Sequence, residues 1–507
     1  MTDLPSGWAC ATLGDLLLRI EAGKSFTCEP RPAEKNEWGV IKVSAMTYGA
    51  FREEENKAVP AHQSVDPANE IKPGDILVSR ASGTREYVGA PVMVGDCRPR
   101  LLLSDKSLRL IPSTWVDRHW LLQALASPEV RAQISAEASG TNSLRNISQQ
   151  ALSAVEMLVP PLAEQKRIVL DLKARLVELE EVAALLSSAA IRLAGLREFV
   201  LGAVCTGRLL GIEVVDEAIE PDSAGVVDGD LPSIPQDWRW VRLGTIADLV
   251  GGVTKDTKKQ MDVALPLVPY LRVANVQRMK LDLRDIACIR VPAAKAEQLA
   301  LQAGDVLLNE GGDRDKLGRG WIWEEQIDHC IHQNHVFRAR VLDGILHPKL
   351  LAWHANSFGR GWFERNGKQS VNLASISLSK LKLFPVPVPP SELQEALVER
   401  AELLLGMIET SEALVERTRI QLTSLRQRLV TDAFEGRLVE QAADDEPADV
   451  LLDRIRAERA AAAKAGSRRR HGASRIEAKR VSLPPGSGGV VPAGAQESLF
   501  EQEEVSS

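Results

Sequence analysis

The 507-residue chain lacks paired cysteines. Its six thiols, Cys10, Cys28, Cys97, Cys205, Cys288 and Cys330, are scattered without a C-x-x-C pair, so nothing suggests a disulfide framework or a zinc ribbon, and a reducing cytosol is the expected home. Long apolar runs are missing as well. No stretch reaches the ~18 uninterrupted apolar residues of a membrane span, and the start, MTDLPSGWAC, has no basic segment leading into an apolar one. A soluble, cytoplasmic protein is expected. Nor is there a surplus of positive charge: the net is -7, which at first argues against a nucleic-acid partner.

That charge is unevenly spread. Gly211 to Asp230 holds seven acids and no Lys or Arg, so the rest of the chain balances to zero, and Ile234 to Pro390 carries 22 Lys and Arg against 16 Asp and Glu. Local charge therefore leaves nucleic acid open. The length is too great for one typical core, and two or three domains are expected.

The chain repeats itself. Pro5, Trp8, Leu13 and Gly14 recur 230 residues later as Pro235, Trp238, Leu243 and Gly244. IKVSA at Ile41 answers LRVAN at Leu271, and PGDILVSR at Pro73 answers AGDVLLNE at Ala303. The proline pair VPPLAEQKRIV at Val159 returns as VPPSELQEALV at Val388, and LREFVLGAVCTGRLL at Leu196 as LRQRLVTDAFEGRLV at Leu425, both by 229. So long a period makes each copy a domain plus a connector. Likeness is poor between Glu86 and Gln133, which suggests one scaffold with different contents. Within each copy, short β-rich runs punctuated by Gly and Pro alternate with helical patches, the signature of a mixed α+β domain.

After Pro161 the pattern changes. Ile168, Leu172, Leu176, Leu179, Val182, Leu186, Ala189, Leu193, Leu196, Val200 and Ala203 advance by a mean of 3.5 residues, the coiled-coil period. Leu397, Ala401, Leu405, Ile408, Val415, Leu422, Leu425 and Leu429 do the same in the second copy, with Ser411 and Thr418 interrupting. Each helix would span about 60 Å at ~1.5 Å per residue. Proline cannot continue a strand ladder and suits a helix entry, so each pair marks where a compact domain hands over to a rod. Two domains held apart by two paired antiparallel helices, related by a pseudo-twofold, suit a partner with regular spacing such as duplex DNA. A coiled-coil assembly scaffold without base readout is the rival.

The domains are expected at 1–160 (first globular domain), 161–210 (central spacer helix), 211–233 (acidic linker), 234–390 (second globular domain), 391–440 (C-terminal spacer helix) and 441–507. The last carries ten Lys and Arg against three acids between Asp453 and Arg480 and has no core pattern there, so a basic, partly disordered tail is expected.

The ordered set of motifs resembles the specificity (S) subunits of type I restriction-modification systems over nearly the whole chain to Val439. It rests on P-x-x-W with L-G, the IKV and LRV strands, the GDIL and GDVL turns, the PPLAEQKRIV helix start and the GRLL and GRLV helix ends. The second helix start departs from it: Gln165 recurs as Gln394, but Leu393 replaces Glu164, and Glu395 and Ala396 replace Lys166 and Arg167. The resemblance implies two target-recognition domains, each reading one half of a split, asymmetric sequence in double-stranded DNA. It also implies two modification (methyltransferase) subunits and restriction (motor-nuclease) subunits as partners, with S-adenosylmethionine, ATP and Mg bound there and none in this chain.

Catalytic signatures are missing. EAGKSF at Glu21 ends like a P-loop but has Leu18 where the loop needs glycine. No N/D-P-P-Y/F, no P-D with a following E-x-K and no hydrolase motif occurs. No catalytic residue is therefore expected, and the chain reads as a non-catalytic subunit. HCIHQNH gathers His329, His332 and His335, but on a strand His332 faces away from the other two, so no metal is expected. The tryptophans of the two GRGW runs, at Gly318 and Gly359, are expected in cores. Base reading needs Arg, Lys, Asn and Gln on supported loops, because their paired donors and acceptors match base edges. In the first copy the candidates are Arg80, Thr84, Arg85, Asn142 and Arg145. In the second they are Asn309, Arg314, Lys316, Lys368, Gln369 and Asn372. Lys24, Ser25 and Lys255, in the glycine turns EAGKSF and GGVTKD, are candidates for backbone phosphate.

Overall fold

The computed structural model describes residues 4–47, 49–141, 144–214, 226–369, 374–462 and 464. It divides into two compact units, Met1–Leu179 with Ser424–Ser507, and Glu180–Thr423. Each combines one copy of the repeat with parts of two 44-residue helices, the central helix Leu162–Cys205 and the C-terminal helix Ser391–Phe434.

The first copy is built on an antiparallel four-stranded sheet in the order Leu17–Ala22, Ser107–Pro112, Ile76–Ser79, Pro91–Met93. A second sheet runs Asn56–Ala58, Gly39–Ile41, Leu101–Leu102, its last pair parallel. Ala9–Thr12 pairs with Glu156–Val159 beside the helix entry, and a small sheet joins Ser139–Thr141, Leu144–Asn146 and Ala81–Ser82. The second copy repeats these sheets and adds a hairpin of Val276–Gln277 with Lys280–Leu281. Its main sheet runs Ala247–Gly251, Val336–Val341, Val306–Asn309, Gly320–Ile322, and its second sheet Ala287–Arg290, Leu267–Leu271, Ile331–His332. The scaffold persists through the stretch where the two sequences diverge: helices Arg118–Ala126 and Pro348–Asn356 occupy the same place in order.

The recurring motifs have physical reasons. In GDIL and GDVL the aspartate closes its own turn, Asp75 accepting from Lys72 N–H at 2.9 Å and Asp305 from Gln302 N–H at 2.8 Å. It also pairs with an arginine of the neighbouring strand: Arg109 Nη1 lies 3.0 Å from Asp75, and Arg340 Nη2 2.7 Å from Asp305. A guanidinium taken from water needs such partners. The recurring glutamine staples each helix to its domain. Gln165 accepts from Asp117 N–H (2.9 Å) and donates to Pro160 O (3.0 Å); Gln394 accepts from His347 N–H (2.6 Å) and donates to Pro389 O (3.0 Å). That staple survives the departures around Leu393, and the second helix starts at Ser391. At the far ends Gly207 and Gly436 both take φ of 75°, a left-handed turn that favours glycine. A Cβ on Gly207 would press on Pro235 and Trp238, and one on Gly436 on Pro5 and Trp8.

In the first unit the start of the central helix (Ile168, Leu172) and the end of the C-terminal helix (Ala433, Phe434) share one core with Trp8, Leu13, Leu16 and Trp120. In the second, the end of the central helix (Val200, Leu201, Val204) and the start of the C-terminal one (Leu397, Ala401, Leu405) share a core with Trp238, Trp353, Trp362 and Phe384, and Arg197 pairs with Glu412 at 2.7 Å. The start of each helix thus meets the end of the other, an antiparallel relation. Three members of the expected seam stand outside it: Val182, Leu196 and Leu425 are exposed at 39%, 50% and 39%. The half-buried face there is Ala183, Leu186, Ala189, Leu193 and Arg197, turned by about one residue, because a pair of helices covers only a narrow stripe.

Residues 441–462, assigned to the tail by composition, are not free of the core. A helix over 448–462 buries Ala448, Leu451, Leu452 and Ile455 in the first unit. Ala448 N–H donates to Gly7 O at 2.8 Å, and the Arg454 guanidinium sits 4.5 Å from the Trp115 ring centroid. The one-turn spacing of these apolar residues is the core pattern that the surrounding charge obscures.

Candidate nucleic-acid interface

In the four-stranded sheet of the first copy, the end of Leu17–Ala22, the start of Ser107–Pro112 and the end of Ile76–Ser79 lie together, with Ala22 opposite Leu108 and Ser79 opposite Ser107. Six candidates emerge at that end. Lys24 and Ser25 leave the first strand, Lys24 bridging to Ser104. Arg80 leaves the third strand, its N–H donating to Lys106 O at 2.9 Å. Arg145 lies opposite Ser82 in the small sheet, whose hydroxyl accepts from Thr84 N–H at 3.1 Å, and Arg85 opens the short helical turn that follows. Thr84 and Arg85 are exposed, and Arg80 and Arg145 half-buried.

The glycine turns have a structural cause independent of any ligand. A Cβ on Gly23 would lie 2.2 Å from Leu103 O, and one on Gly252 2.0 Å from His332 O, so only glycine lets the two segments pass. The lysine and hydroxyl residues that follow, Lys24, Ser25 and Lys255, are exposed.

The second copy builds the same end from different residues. Val253 bridges to Gln333, the counterpart of Lys24 to Ser104, and Glu310 N–H donates to His335 O at 3.0 Å, the counterpart of Arg80 to Lys106. Where the first copy has Arg80 and Lys106, the second thus has Glu310 and His335, whose Nδ1 lies 2.7 Å from the Glu310 carboxylate. Arg314 and Lys316 occupy the short turn equivalent to Arg85–Tyr87, with Lys316 paired to Asp313, while Lys368 and Gln369 are exposed on the small sheet. Arg85 Nη2 donates to Ser135 O and Arg314 Nη2 to Glu364 O, each at 3.2 Å. These two exposed arginines therefore brace the same helix in both copies.

One candidate is corrected. Asn309 is wholly buried, its Nδ2 donating to Val276 O at 2.8 Å, so it holds a loop in place and offers nothing to a base edge. Asn142 and Asn372 lie outside the described residues. The same end also holds residues that the sequence reading did not name, Lys42, Lys57 and Lys106 in the first copy and Glu310 in the second. Lys106 carried a signal, since it and His335 stand at the same offset immediately before matching strands.

The three histidines of HCIHQNH have separate surroundings. The His332 ring is buried with Nδ1 2.6 Å from Val336 O, and loss of water lowers its pKa to about 4. His329 is exposed with φ of 53° and His335 faces Glu310. Among the described residues no group of three or more His, Cys, Asp or Glu stands close enough to hold a metal. Nor is any helix there long and apolar enough to cross a membrane. The GRGW tryptophans are core residues: Trp362 is fully buried, with Nε1 donating to Asp228 at 2.9 Å, and Trp321 packs partly buried against the same core.

No family model matches the chain. The specificity subunit of the type I restriction enzyme EcoEI from Escherichia coli is 33% identical over 170 residues, 33% of this chain and 28% of that protein. Two relatives align across nearly their full length. The StySPI specificity subunit of Salmonella potsdam is 23% identical over 90% of this chain and 96% of its own, and the EcoKI specificity subunit of Escherichia coli K12 24% identical over 90% and 97%. Over nearly its whole length the chain is thus similar to type I specificity subunits. The family fold is seen in the crystal structure of the HsdS subunit from Thermoanaerobacter tengcongensis, with TM-score 0.53 and 19% identity over 86% of this chain and 98% of that one. A chain from work on complex assembly and conformational transition of the type I R-M system superposes with TM-score 0.61 and 20% identity, over 86% of this chain and all of that one. Against this family background, the shared scaffold and unlike surfaces of the two copies acquire a meaning.

Proposed function

We propose that this chain is the DNA sequence-specificity subunit of a type I restriction-modification complex, each copy reading one half of a bipartite, asymmetric site. One observation carries the reading: the same end of the same sheet presents Arg80 and Lys106 in one copy and Glu310 and His335 in the other. Arginine and lysine match the acceptors of guanine, whereas a carboxylate accepts from the cytosine amino group, so unlike half-sites follow. Phosphate contacts by Lys24, Ser25 and Lys255 would position the duplex, and base contacts by Arg80, Arg145, Lys368 and Gln369 would select the sequence.

The chain supplies recognition, and the chemistry belongs to its partners in the cytoplasm: two modification subunits carrying S-adenosylmethionine, and motor-nuclease subunits using ATP and Mg. Protein partners have a landing place on the long helices. Leu185, Ile191 and Phe199 on one, and Met407, Leu414 and Ile420 on the other, are exposed by 57% or more in the second unit.

The test is a genome-wide map of methylated adenine in host cells with and without this gene, partner genes intact and expressed. Loss of one split motif with an unspecified gap is the expected result. An unchanged map would overturn the reading in favour of an assembly scaffold.

A further inference from the structure

A cleft of about 370 Å3 opens in the first copy beside the end of Leu17–Ala22, lined by Lys24, Lys42, Lys57 and Lys106 together with Ser25 and Ser104. The lysines are far apart in sequence and meet through pairing: Lys57 lies opposite Val40 across two strands, and Lys24 bridges to Ser104. One acid, Asp105, is among the lining residues. Lys24 is 3.8 Å from the exposed Asp66 and Lys42 3.4 Å from Glu55, but neither Lys57 nor Lys106 has an ion-pair partner among the described residues. The ammonium groups of Lys57 and Lys106 beside Lys24 repel one another unless an anion joins them, and the Ser25 hydroxyl supplies a neutral donor to the same anion.

The equivalent positions of the second copy carry other groups. Register places Val253, Arg272, Ala287 and His335 at the four positions, with Arg272 held by Asp285 at 2.8 Å and His335 by Glu310. Among the described residues, these four positions of the second copy thus hold one guanidinium, already paired, and one imidazole.

We propose that this cleft takes a backbone phosphate of the duplex beside the first half-site, so that the first domain holds the duplex by charge more strongly than the second, whose phosphate contact is Lys255. The inference rests on the reading above. Lysine presents point charges suited to a phosphodiester, and the cleft adjoins Arg80 through Lys106, so an anchored phosphate would set the base edges before Arg80.

The experiment measures duplex affinity against salt for the full chain assembled with its modification subunits, using a duplex that carries the mapped motif. K24Q/K57Q, which leaves Lys106 in place beside Arg80, is compared with the charge-keeping K24R/K57R and with R272Q in the second copy. Each phosphate contact contributes about 0.9 to the slope of log affinity against log salt, so the glutamine variant should lose roughly one to two units of slope. The arginine variant and R272Q should keep it, and the methylated motif should stay unchanged. A wild-type slope in the glutamine variant would overturn the inference and leave the functional reading standing. A changed motif would overturn it in favour of base reading by the cleft, and phosphate bound tightly by the full chain without DNA in favour of a free anion. A wild-type complex that binds no duplex would overturn both.

Discussion

The two copies agree where a side chain meets backbone and differ where it meets solvent. Arg85 and Arg314 brace matching carbonyls, Gln165 and Gln394 make the same bonds to a proline carbonyl and a helix-cap amide, and Gly23 and Gly252 admit the same close crossing. Ten residues or fewer away, Lys24 has become Val253 and Arg80 Glu310. A contact to a carbonyl or an amide does not depend on the partner's side chain. A scaffold held this way tolerates exchange of its outward residues.

Five measurements break or sharpen this comparison. The largest effect is expected from Gly23→Val and Gly252→Val, each costing its own unit about 3 kcal/mol by forcing a side chain onto a carbonyl. Hydrogen exchange resolved by peptide suits a molecule of two units, and a cost confined to one of them would show that the crossings are not equivalent. Acidification from pH 6.5 to 4 comes next. His332 and His354 in the second unit are buried with pKa values lowered to about 4 by loss of water, so the unfolded chain binds more protons in that window and stability falls as pH falls, on the order of 2 to 3 kcal/mol for each histidine. The first unit holds the opposite case. Burial raises the Glu164 carboxyl, so its contribution is present at low pH and lost as pH rises through its folded value. The second unit should therefore open first in acid, and equal loss of protection in both would sink the contrast.

Gln165→Leu and Gln394→Leu should each cost about 2 kcal/mol, because a buried amide and a carbonyl lose their partner. Unequal thermal shifts would show that one helix start has a second anchor. Glu310→Arg with His335→Lys gives the second copy the first copy's chemistry and should alter only the second half-site, by roughly 1 to 2 kcal/mol of base discrimination. A methylation map with both halves changed, or neither, would contradict independent reading. The smallest effect is Arg454→Ala, which removes a cation–π contact on the first unit worth ~0.5 to 1 kcal/mol and should leave exchange in the second unit untouched.

Much of the scaffold was legible because its rules are local. Proline pairs, the Gly-Asp turns and the 3.5-residue stripe each act over a few residues, and their recurrence at one offset exposed the repeat. The surface was less so. Asn309 looked like a reader on a loop, yet Val306–Asn309 is buried on both faces, which removes the period-two signal. Lys57 and Lys106 stand in no motif of the sequence, and only strand pairing brings them beside Lys24. The tail helix was hidden by its composition: basic residues dominate the count, while Leu451, Leu452 and Ile455 occupy one narrow face.

The division of the chain between the units also has a consequence in time. The second unit is continuous, Glu180–Thr423, and every residue it needs has left the ribosome once Thr423 has emerged. The first unit opens the chain but ends with it: Phe434 against Trp120, and Ile455 in the same core, arrive last. The part made first is thus finished last, and through the synthesis of the whole second copy it waits with an apolar face uncovered, a long interval in which chaperones or a neighbouring nascent chain can engage it.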